Sequence, residues 1–223
     1  MGNFEIRLVS ESAVLIVMGQ TIDLQTNLRV HSATHLLMEQ GWPGVEEIVP
    51  GYATLLVYFD PLLWEGDVLA SRIRKVLRDL REISFWHPRE IVIPVRYGGL
   101  WGPDLDFVAE TAGLSCEEVI RLHSQSEYVV FMMGFTPGFA YLGGMDRKLS
   151  VPRLATPRSQ VPAGSVGIAG AQTGIYPIDS PGGWRIIGRT PLRLFDPQND
   201  QPFLLSPGDR VRFEPLEETA PCG

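Results

Sequence analysis

The feature that most constrains the fold of this chain is a segment dense in glycine and proline, residues 134–191. It holds 11 glycines and 7 prolines, and no short repeat runs through it. Five aromatic residues stand among them: Phe135, Phe139, Tyr141, Tyr176 and Trp184. A disordered linker lacks aromatic residues of this kind, so the segment predicts a folded region built from many tight turns.

The same segment differs from the rest of the chain in charge. The whole chain has a formal net charge of -7, which opposes non-specific binding to nucleic acid. Residues 134–191, in contrast, carry 6 basic and 2 acidic side chains. Such a basic island is typical of a pocket for a small anion, a carboxylate or a phosphate, with chance variation of the surface as the alternative.

Several classes of protein are not expected from the composition. No window approaches about 18 consecutive apolar residues, so we expect no membrane span. Residues 1–10 lack the basic and apolar regions of a secretory signal. The two cysteines, Cys116 and Cys222, give no disulfide framework, so we expect free thiols and a reducing cytoplasm. No Cys/His spacing suggests a metal site.

Residues 1–87 alternate between strand and helix patterns. Apolar alternation and short apolar runs predict strands over residues 4–8, 13–18, 45–49 and 53–59. One helix is expected after a cap at Thr26 or Asn27 and before Gly41, and a second opens at Pro61 or Asp67. The order β-β-α-β-β-α predicts a small α+β sandwich, a sheet covered by two helices.

His87-Pro88 marks a boundary, so we expect two domains, residues 1–87 and 88–223. A strand is predicted from Ile91, a helix over residues 104–112, and a second helix after the capping box of Ser115 and Glu118. Short strands are predicted over residues 128–133, 166–169, 184–187, 192–195 and 210–213. Short strands separated by glycine and proline predict a closed barrel or a sandwich.

Two features of the basic island could bind a ligand. In residues 134–144, glycines let the backbone approach a ligand and aromatic residues supply pocket walls, although a loop that plugs the core is the alternative. Arg158 and Arg189 could form bidentate pairs with a carboxylate, or else structural ion pairs. The glycines at 164, 167 and 170 match neither the dinucleotide-binding nor the P-loop pattern.

His123, at the end of a short predicted helix, is the candidate general base. A structural histidine near a helix C-terminus is the alternative. The sequence contains no G-x-S-x-G motif and no evident Ser/His/Asp or Cys/His set. The residues alone therefore predict an α+β protein with binding loops and no self-sufficient catalytic apparatus.

Four stretches resemble a known family: YGGLWGPDL (97–105), EEVIRLHS (117–124), GFTPGFAYLGGM (134–145) and TPRSQVPAGSVGIAGAQTGIYPIDSPGGWRIIGRTPLRLFDP (156–197). The family comprises the B subunit of 5-oxoprolinase, the allophanate hydrolase subunit 1 domain, the matching urea carboxylase region and a sporulation-kinase inhibitor. A weaker stretch, EEIVPGYATLLVYFDP (46–61), extends the resemblance toward the N-terminus.

The resemblance implies a ferredoxin-like domain at 1–87 and a cyclophilin-like β-barrel at 88–223. It also implies partners, the C and A subunits of 5-oxoprolinase, with which this chain would cleave 5-oxoproline to glutamate using ATP. The implied catalytic residue is His123. The implied substrate-binding residues are Phe135, Thr136, Gly138, Phe139, Arg158, Gln172, Thr173, Tyr176, Gly182, Trp184 and Arg189. Family sequences often have cysteine where this chain has Arg96.

The resemblance leaves other functions open. The chain could inhibit a sensor histidine kinase, or belong to a urea- or allophanate-type carboxyltransferase, although it has no biotin-carrier Met-Lys pair. A prolyl isomerase would rest on barrel analogy alone, and a shared fold does not transfer function. No phosphate-binding motif shows whether ATP contacts this chain.

Overall fold

The computed structural model describes residues 4–78, 80 and 88–217. The chain divides into two compact units, Met1–His87 and Pro88–Gly223. Each unit buries a hydrophobic cluster of its own. Among the described residues, no helix has both the length and the apolar character needed to cross a membrane.

The first unit has the predicted element order β-β-α-β-β-α. Its elements are β1 (Glu5–Ser10), β2 (Ala13–Val17), α1 (Leu24–Glu39), β3 (Val45–Pro50), β4 (Thr54–Phe59) and α2 (Gly66–Leu77). The sheet is antiparallel throughout, in the order β1-β2-β4-β3. Alternate residues of a strand share a face, so Val14 and Ile16 of β2 and Leu55 and Val57 of β4 pack together against the helices.

The cap of α1 differs from the prediction. Asp23 is the cap, because its carboxylate Oδ1 accepts a hydrogen bond from the Thr26 backbone N–H at 2.9 Å. Thr26 therefore stands inside the first turn. Asn27 is buried, and its side-chain amide donates to the Tyr52 carbonyl at 3.0 Å. The sequence prediction missed Asp23 because Asp and Thr are both good caps and stand three residues apart.

The second unit contains nine strands, two α-helices and a short 3-10 turn within the described residues. The elements are β5 (Glu90–Tyr97), α3 (Leu105–Ala112), α4 (Cys116–Gln125), β6 (Tyr128–Met133), β7 (Ala140–Gly143), the 3-10 turn (Arg147–Leu149), β8 (Arg158–Val161), β9 (Ser165–Ala169), β10 (Gln172–Ile175), β11 (Ser180–Gly182), β12 (Arg185–Arg189) and β13 (Arg210–Pro215).

Seven of these strands close into a barrel in the order β10-β7-β6-β13-β5-β12-β9. Its pairs are antiparallel except β5 with β13, which is parallel. The remaining strands, β8 and β11, pair with each other as a separate two-stranded sheet. The chain is thus a mixed α/β protein with a closed barrel, one of the two architectures that the short strands predicted.

Two details of the second unit differ from the sequence-based expectations. The strand predicted over residues 192–195 is absent: only Phe195 forms an isolated bridge, with Phe203. Pro191 and Pro197 bracket this segment, and proline cannot donate to a strand ladder. Cys116 is disulfide-bonded, so the expectation of a free thiol is wrong there; Cys222 lies outside the described residues.

Candidate functional site

A cleft of about 700 Å³ opens on the second unit. Its charged and aromatic lining consists of Arg96, Trp101, Asp179, Arg189, Arg193 and Phe195. Prolines and apolar side chains from residues 163–197 supply most of the rest. Small-molecule sites are commonly clefts of about 300–1,000 Å³ with few polar groups in an apolar lining, so this cleft is the candidate site.

Strand pairing brings two of these arginines together. Arg96 of β5 and Arg189 of β12 are directly opposed in the antiparallel register, so both side chains lie on one face of the sheet. Arg96 stands between the buried Val95 and Tyr97, which places its side chain on the outer face of the barrel. The two cations therefore lie side by side at the cleft.

The indole of Trp101 lies beside both cations. The guanidinium carbons of Arg96 and Arg189 lie 5.5 Å and 5.8 Å from its ring centroid. Both distances fall within the range of a cation–π contact, about 6 Å. We call these three residues the Arg96–Trp101–Arg189 cluster.

The glycines after Tyr97 hold Trp101 in this position. The Gly98 backbone N–H donates to the Ile187 carbonyl of β12 at 3.1 Å. A Cβ at Gly102 would lie 2.0 Å from that carbonyl oxygen, so only glycine allows the loop to approach the strand so closely. The loop is therefore fixed to the strand that carries Arg189.

Backbone groups also fix the polar side chains of the cleft. Arg189 Nε donates to the Ala163 carbonyl at 2.7 Å, and the Ala163 N–H donates to Asp179 Oδ1 at 2.7 Å. That hydrogen bond, a second from Gln160 and the nearby charge of Arg189 lower the pKa of Asp179, which is ionised at neutral pH. Three arginines against one carboxylate leave the lining side chains net positive.

Four of the predicted substrate-binding residues lie in or against an aromatic core. Phe139, Tyr176 and Trp184 are at most 5% exposed, and the ring centroid of Phe139 lies 5.2 Å from Tyr176 and 5.5 Å from Trp184. A Cβ at Gly182 would lie 2.3 Å from the Tyr176 hydroxyl, so the tyrosine packs directly on the glycine. This arrangement matches the alternative in which aromatic residues fill a core.

The turn at residues 134–138 borders the cleft. A Cβ at Gly138 would lie 3.0 Å from Phe195 Cβ and 3.2 Å from Pro177 Cβ, and both of those residues line the cleft. Phe135 is 62% exposed and has φ 65°, a left-handed conformation that is strained for a bulky residue. The Thr136 hydroxyl is buried without a hydrogen-bond partner among the described residues.

Arg158 is engaged within the protein. Its Nη2 donates to Asp104 Oδ1 at 2.9 Å and its Nη1 donates to the Trp184 carbonyl at 3.3 Å. Asp104 is nearly buried and also lies 3.7 Å from Arg185 Nη1. Arg158 therefore forms a structural ion pair. For this arginine, such a pair was the alternative to binding a substrate carboxylate.

His123 lies inside the barrel, fully buried. Tyr97 of β5 donates to its Nδ1 at 2.8 Å, and its Nε2 lies 3.0 Å from Thr173 Oγ1 of β10. The Thr173 hydroxyl donates to the Gly167 carbonyl, so it accepts from the protonated Nε2 of a neutral imidazole. Burial lowers the pKa of His123 to about 3. With both nitrogens hydrogen-bonded, His123 has the surroundings of a structural histidine, and its role as a general base stays a prediction.

The predicted residues therefore separate into several places. Arg189 lines the cleft, and the turn with Phe135, Thr136 and Gly138 borders it. Gln172 begins β10 and is half-buried. Five charged or aromatic residues of the cleft were not selected from the sequence: Arg96, Trp101, Asp179, Arg193 and Phe195. Four of these, all except Arg96, lie inside the family motifs at 97–105 and 156–197, so the motifs gave a usable signal.

No metal centre is evident in the described part of the chain: it has no group of three or more His, Cys, Asp or Glu side chains placed to hold an ion.

The sequence matches a described protein family over both units of the chain. The chain is a member of the family described as carboxyltransferase domain, subdomain C and D, whose profile matches residues 4–205.

Two relatives are similar over nearly their whole length, and a third over a small part of its length. The B subunit of 5-oxoprolinase from Bacillus subtilis (strain 168) is 45% identical over 227 residues, covering 96% of this chain and 94% of the relative. The protein of the same name from Escherichia coli O157:H7 is 45% identical over 214 residues, covering 95% of each. The urea amidolyase of Saccharomyces cerevisiae is 30% identical over 250 residues, covering 95% of this chain but 13% of that protein.

A solved structure has a similar fold. The crystal structure of TTHA0988 superposes with a TM-score of 0.81 at 37% identity, covering 96% of this chain and 40% of that longer chain.

Proposed function

We propose that this chain is the B subunit of an ATP-dependent 5-oxoprolinase, which cleaves 5-oxoproline to glutamate together with the A and C subunits. The observation that carries the proposal is 45% identity to two proteins named as the B subunit of 5-oxoprolinase, over 94% and 95% of their lengths. A match across both chains, rather than to one domain of a larger enzyme, favours the same role in the same kind of complex.

The cleft supports a small anionic substrate. Its lining is net positive, and it is open at the surface of the second unit. Of the substrate-binding residues that the family resemblance implies, Arg189, Phe135, Thr136 and Gly138 lie at or beside it and form the proposed substrate-facing set. The buried aromatic residues and Gly182 would support this set from behind.

ATP is proposed as a substrate of the complex, and we do not assign its phosphates to the glycine-containing stretch at 164–170. Gly167 lies within β9 of the barrel wall, and a Cβ there would be 3.0 Å from Trp184 Cβ, whereas Gly164 and Gly170 flank this strand at positive φ. Close packing therefore explains Gly167 without a phosphate. Because the proposed reaction consumes ATP, we place the complex in the cytoplasm.

The two fold names implied by the resemblance belong to the same proposal. Moving the last strand of a ferredoxin-like β-α-β-β-α-β unit to its front gives β-β-α-β-β-α, the element order of the first unit. We therefore propose a circularly permuted ferredoxin-like fold for that unit. For the barrel we propose the cyclophilin-like class, supported by its closed seven-stranded form.

The test is reconstitution from the separate subunits. Purified chain is mixed with the A and C subunits, and ATP-dependent glutamate formation from 5-oxoproline is followed over time. We expect glutamate only when all three proteins are present. The proposal would be overturned if omitting this chain left the rate unchanged.

Two other functions stay predictions from the family resemblance. Inhibition of a sensor histidine kinase predicts a fall in autophosphorylation as this chain is added, and unchanged kinase activity would oppose it. A urea-type carboxyltransferase is less favoured, because the yeast urea amidolyase is 30% identical to this chain, against 45% for the two B subunits of 5-oxoprolinase.

A further inference from the structure

We infer that the Arg96–Trp101–Arg189 cluster is a carboxylate-binding subsite that this chain forms by itself, with Arg96 and Arg189 as hydrogen-bond donors. The identity of the acid, 5-oxoproline, rests on the proposed function. The carboxylate subsite does not, since it follows from the geometry of the cleft.

A second arginine pair in the same unit shows how this protein accommodates adjacent guanidinium groups. Arg158 and Arg185 approach each other around Asp104, whose Oδ1 lies 2.9 Å from the first and 3.7 Å from the second. The Asp104 carboxylate offsets the repulsion between the two cations.

At the cleft, Arg189 of β12 lies opposite a second arginine, Arg96 of β5, on the same face of the sheet. In residues 4–78, 80 and 88–217, no carboxylate lies within 4.0 Å of the Arg189 guanidinium. Arg193, also in the lining, is paired with Asp196 at 3.0 Å. A carboxylate bound to Arg189 would complete the arrangement that Asp104 completes elsewhere.

The surroundings favour a singly charged carboxylate over a phosphate. Asp179 is ionised, and the charge of Arg189 is close enough to lower its pKa, so the cleft already holds one negative charge. Arg193 is paired with Asp196, so Arg96, Arg189 and Asp179 together leave a formal charge of +1, which a carboxylate neutralises and a doubly charged phosphate exceeds. Two planar guanidinium forks also suit the planar carboxylate, which they can bind in a bidentate manner.

Trp101 restricts the orientation of the two guanidinium groups and so defines the shape of the subsite. Its ring is 38% exposed and contacts both guanidiniums, so it forms a flat wall that limits their orientations. Fixed donors lose less entropy when they bind than mobile side chains do. The exposed remainder of the ring is available to contact the apolar part of a small acid.

The test measures binding of L-5-oxoproline to the full chain by isothermal titration calorimetry. Three further probes are compared: the neutral carboxamide of 5-oxoproline, glutamate and inorganic phosphate. We expect the acid to bind, and the carboxamide and phosphate to bind at least about tenfold more weakly, because charge-assisted hydrogen bonds are lost or opposed. Equal or tighter binding of the carboxamide or of phosphate would overturn the inference, as would no binding of any acid.

Variants then locate the subsite. Arg96→Gln and Arg189→Gln should each weaken acid binding about ten- to a hundredfold. The matched control is Arg153→Gln. Arg153 lies outside the cleft, and its guanidinium carbon is 5.8 Å from the ring centroid of Trp184, so this substitution also removes one charge beside a tryptophan. The control should bind as the unchanged protein does. If it weakens binding as much as the cleft variants do, general charge accounts for the effect and the inference fails.

Melting temperatures of all variants control for folding. If Arg189→Gln unfolds, Arg189→Lys keeps the charge and should still weaken binding, because lysine lacks the planar fork. In the reconstituted complex, normal activity with an unchanged KM for Arg96→Gln would refute the subsite and leave the proposed function intact. Acid binding with no glutamate formed by the complete mixture would instead refute the function and leave the subsite intact.

Discussion

Acidification should destabilise the barrel unit through His123, because the folded protein keeps this imidazole neutral. Burial lowers its pKa from 6.5 to about 3. Below about pH 6.5 the unfolded chain takes up a proton that the folded protein does not bind until about pH 3, so stability is greatest above this range and falls as the pH falls. At about 1.36 kcal/mol for each pKa unit, the loss reaches about 2 kcal/mol at about pH 5 and about 5 kcal/mol near pH 3.

The assay is urea unfolding of the full chain at neutral pH and at about pH 5, followed by the NMR signals of β9 and β10. His123→Gln removes the titrating ring, so its loss of stability between the two pH values should be smaller than that of the unchanged protein by about 2 kcal/mol. The control is His35→Gln, an exposed histidine on α1, which should keep the unchanged protein's loss. If His123→Gln lost as much stability as the unchanged protein, the histidine would not be the source.

Two substitutions test other parts of the second unit by urea unfolding. Asp104→Asn should lower the free energy of unfolding by about 3 kcal/mol, because it leaves the Arg158 and Arg185 charges without their nearly buried partner. A change below about 1 kcal/mol would contradict this ion-pair role. Phe139→Ala should lower the free energy of unfolding by about 3–5 kcal/mol, because it removes a buried ring from the aromatic core. Phe135→Asn should lower it by less than about 1 kcal/mol, because asparagine tolerates φ 65° and the Phe135 ring is exposed. Equal losses would show that both rings support the fold.

The sequence predicted elements that depend on neighbouring residues. The first unit's order of strands and helices followed from apolar periodicity, and the capping box at Ser115 is present as expected, with Ser115 Oγ accepting from the Glu118 N–H at 3.2 Å. Both signals lie within a few residues, so no knowledge of distant contacts was needed.

The candidate site depended on distant contacts and was predicted only in part. Arg158 and Arg189 have the same chemistry in the sequence, but Asp104, 54 residues from Arg158, engages only the first. Arg96 joins Arg189 only through the register of β5 and β12, which no local pattern encodes. His123 appeared able to titrate because its burial comes from strands far away in the sequence.

The parallel pairing of β5 with β13 affects how the barrel is made during synthesis. Residues 90–95 pair in order with residues 210–215, so the wall between β5 and β6 stays open until the ribosome has delivered β13. The first unit draws its sheet and helices from residues 5–77 and has no such wait. The nascent chain would therefore carry a finished first unit followed by a barrel whose strand edges are still unpaired. Such edges can pair with other chains, and this interval is when the protein would be most exposed to aggregation.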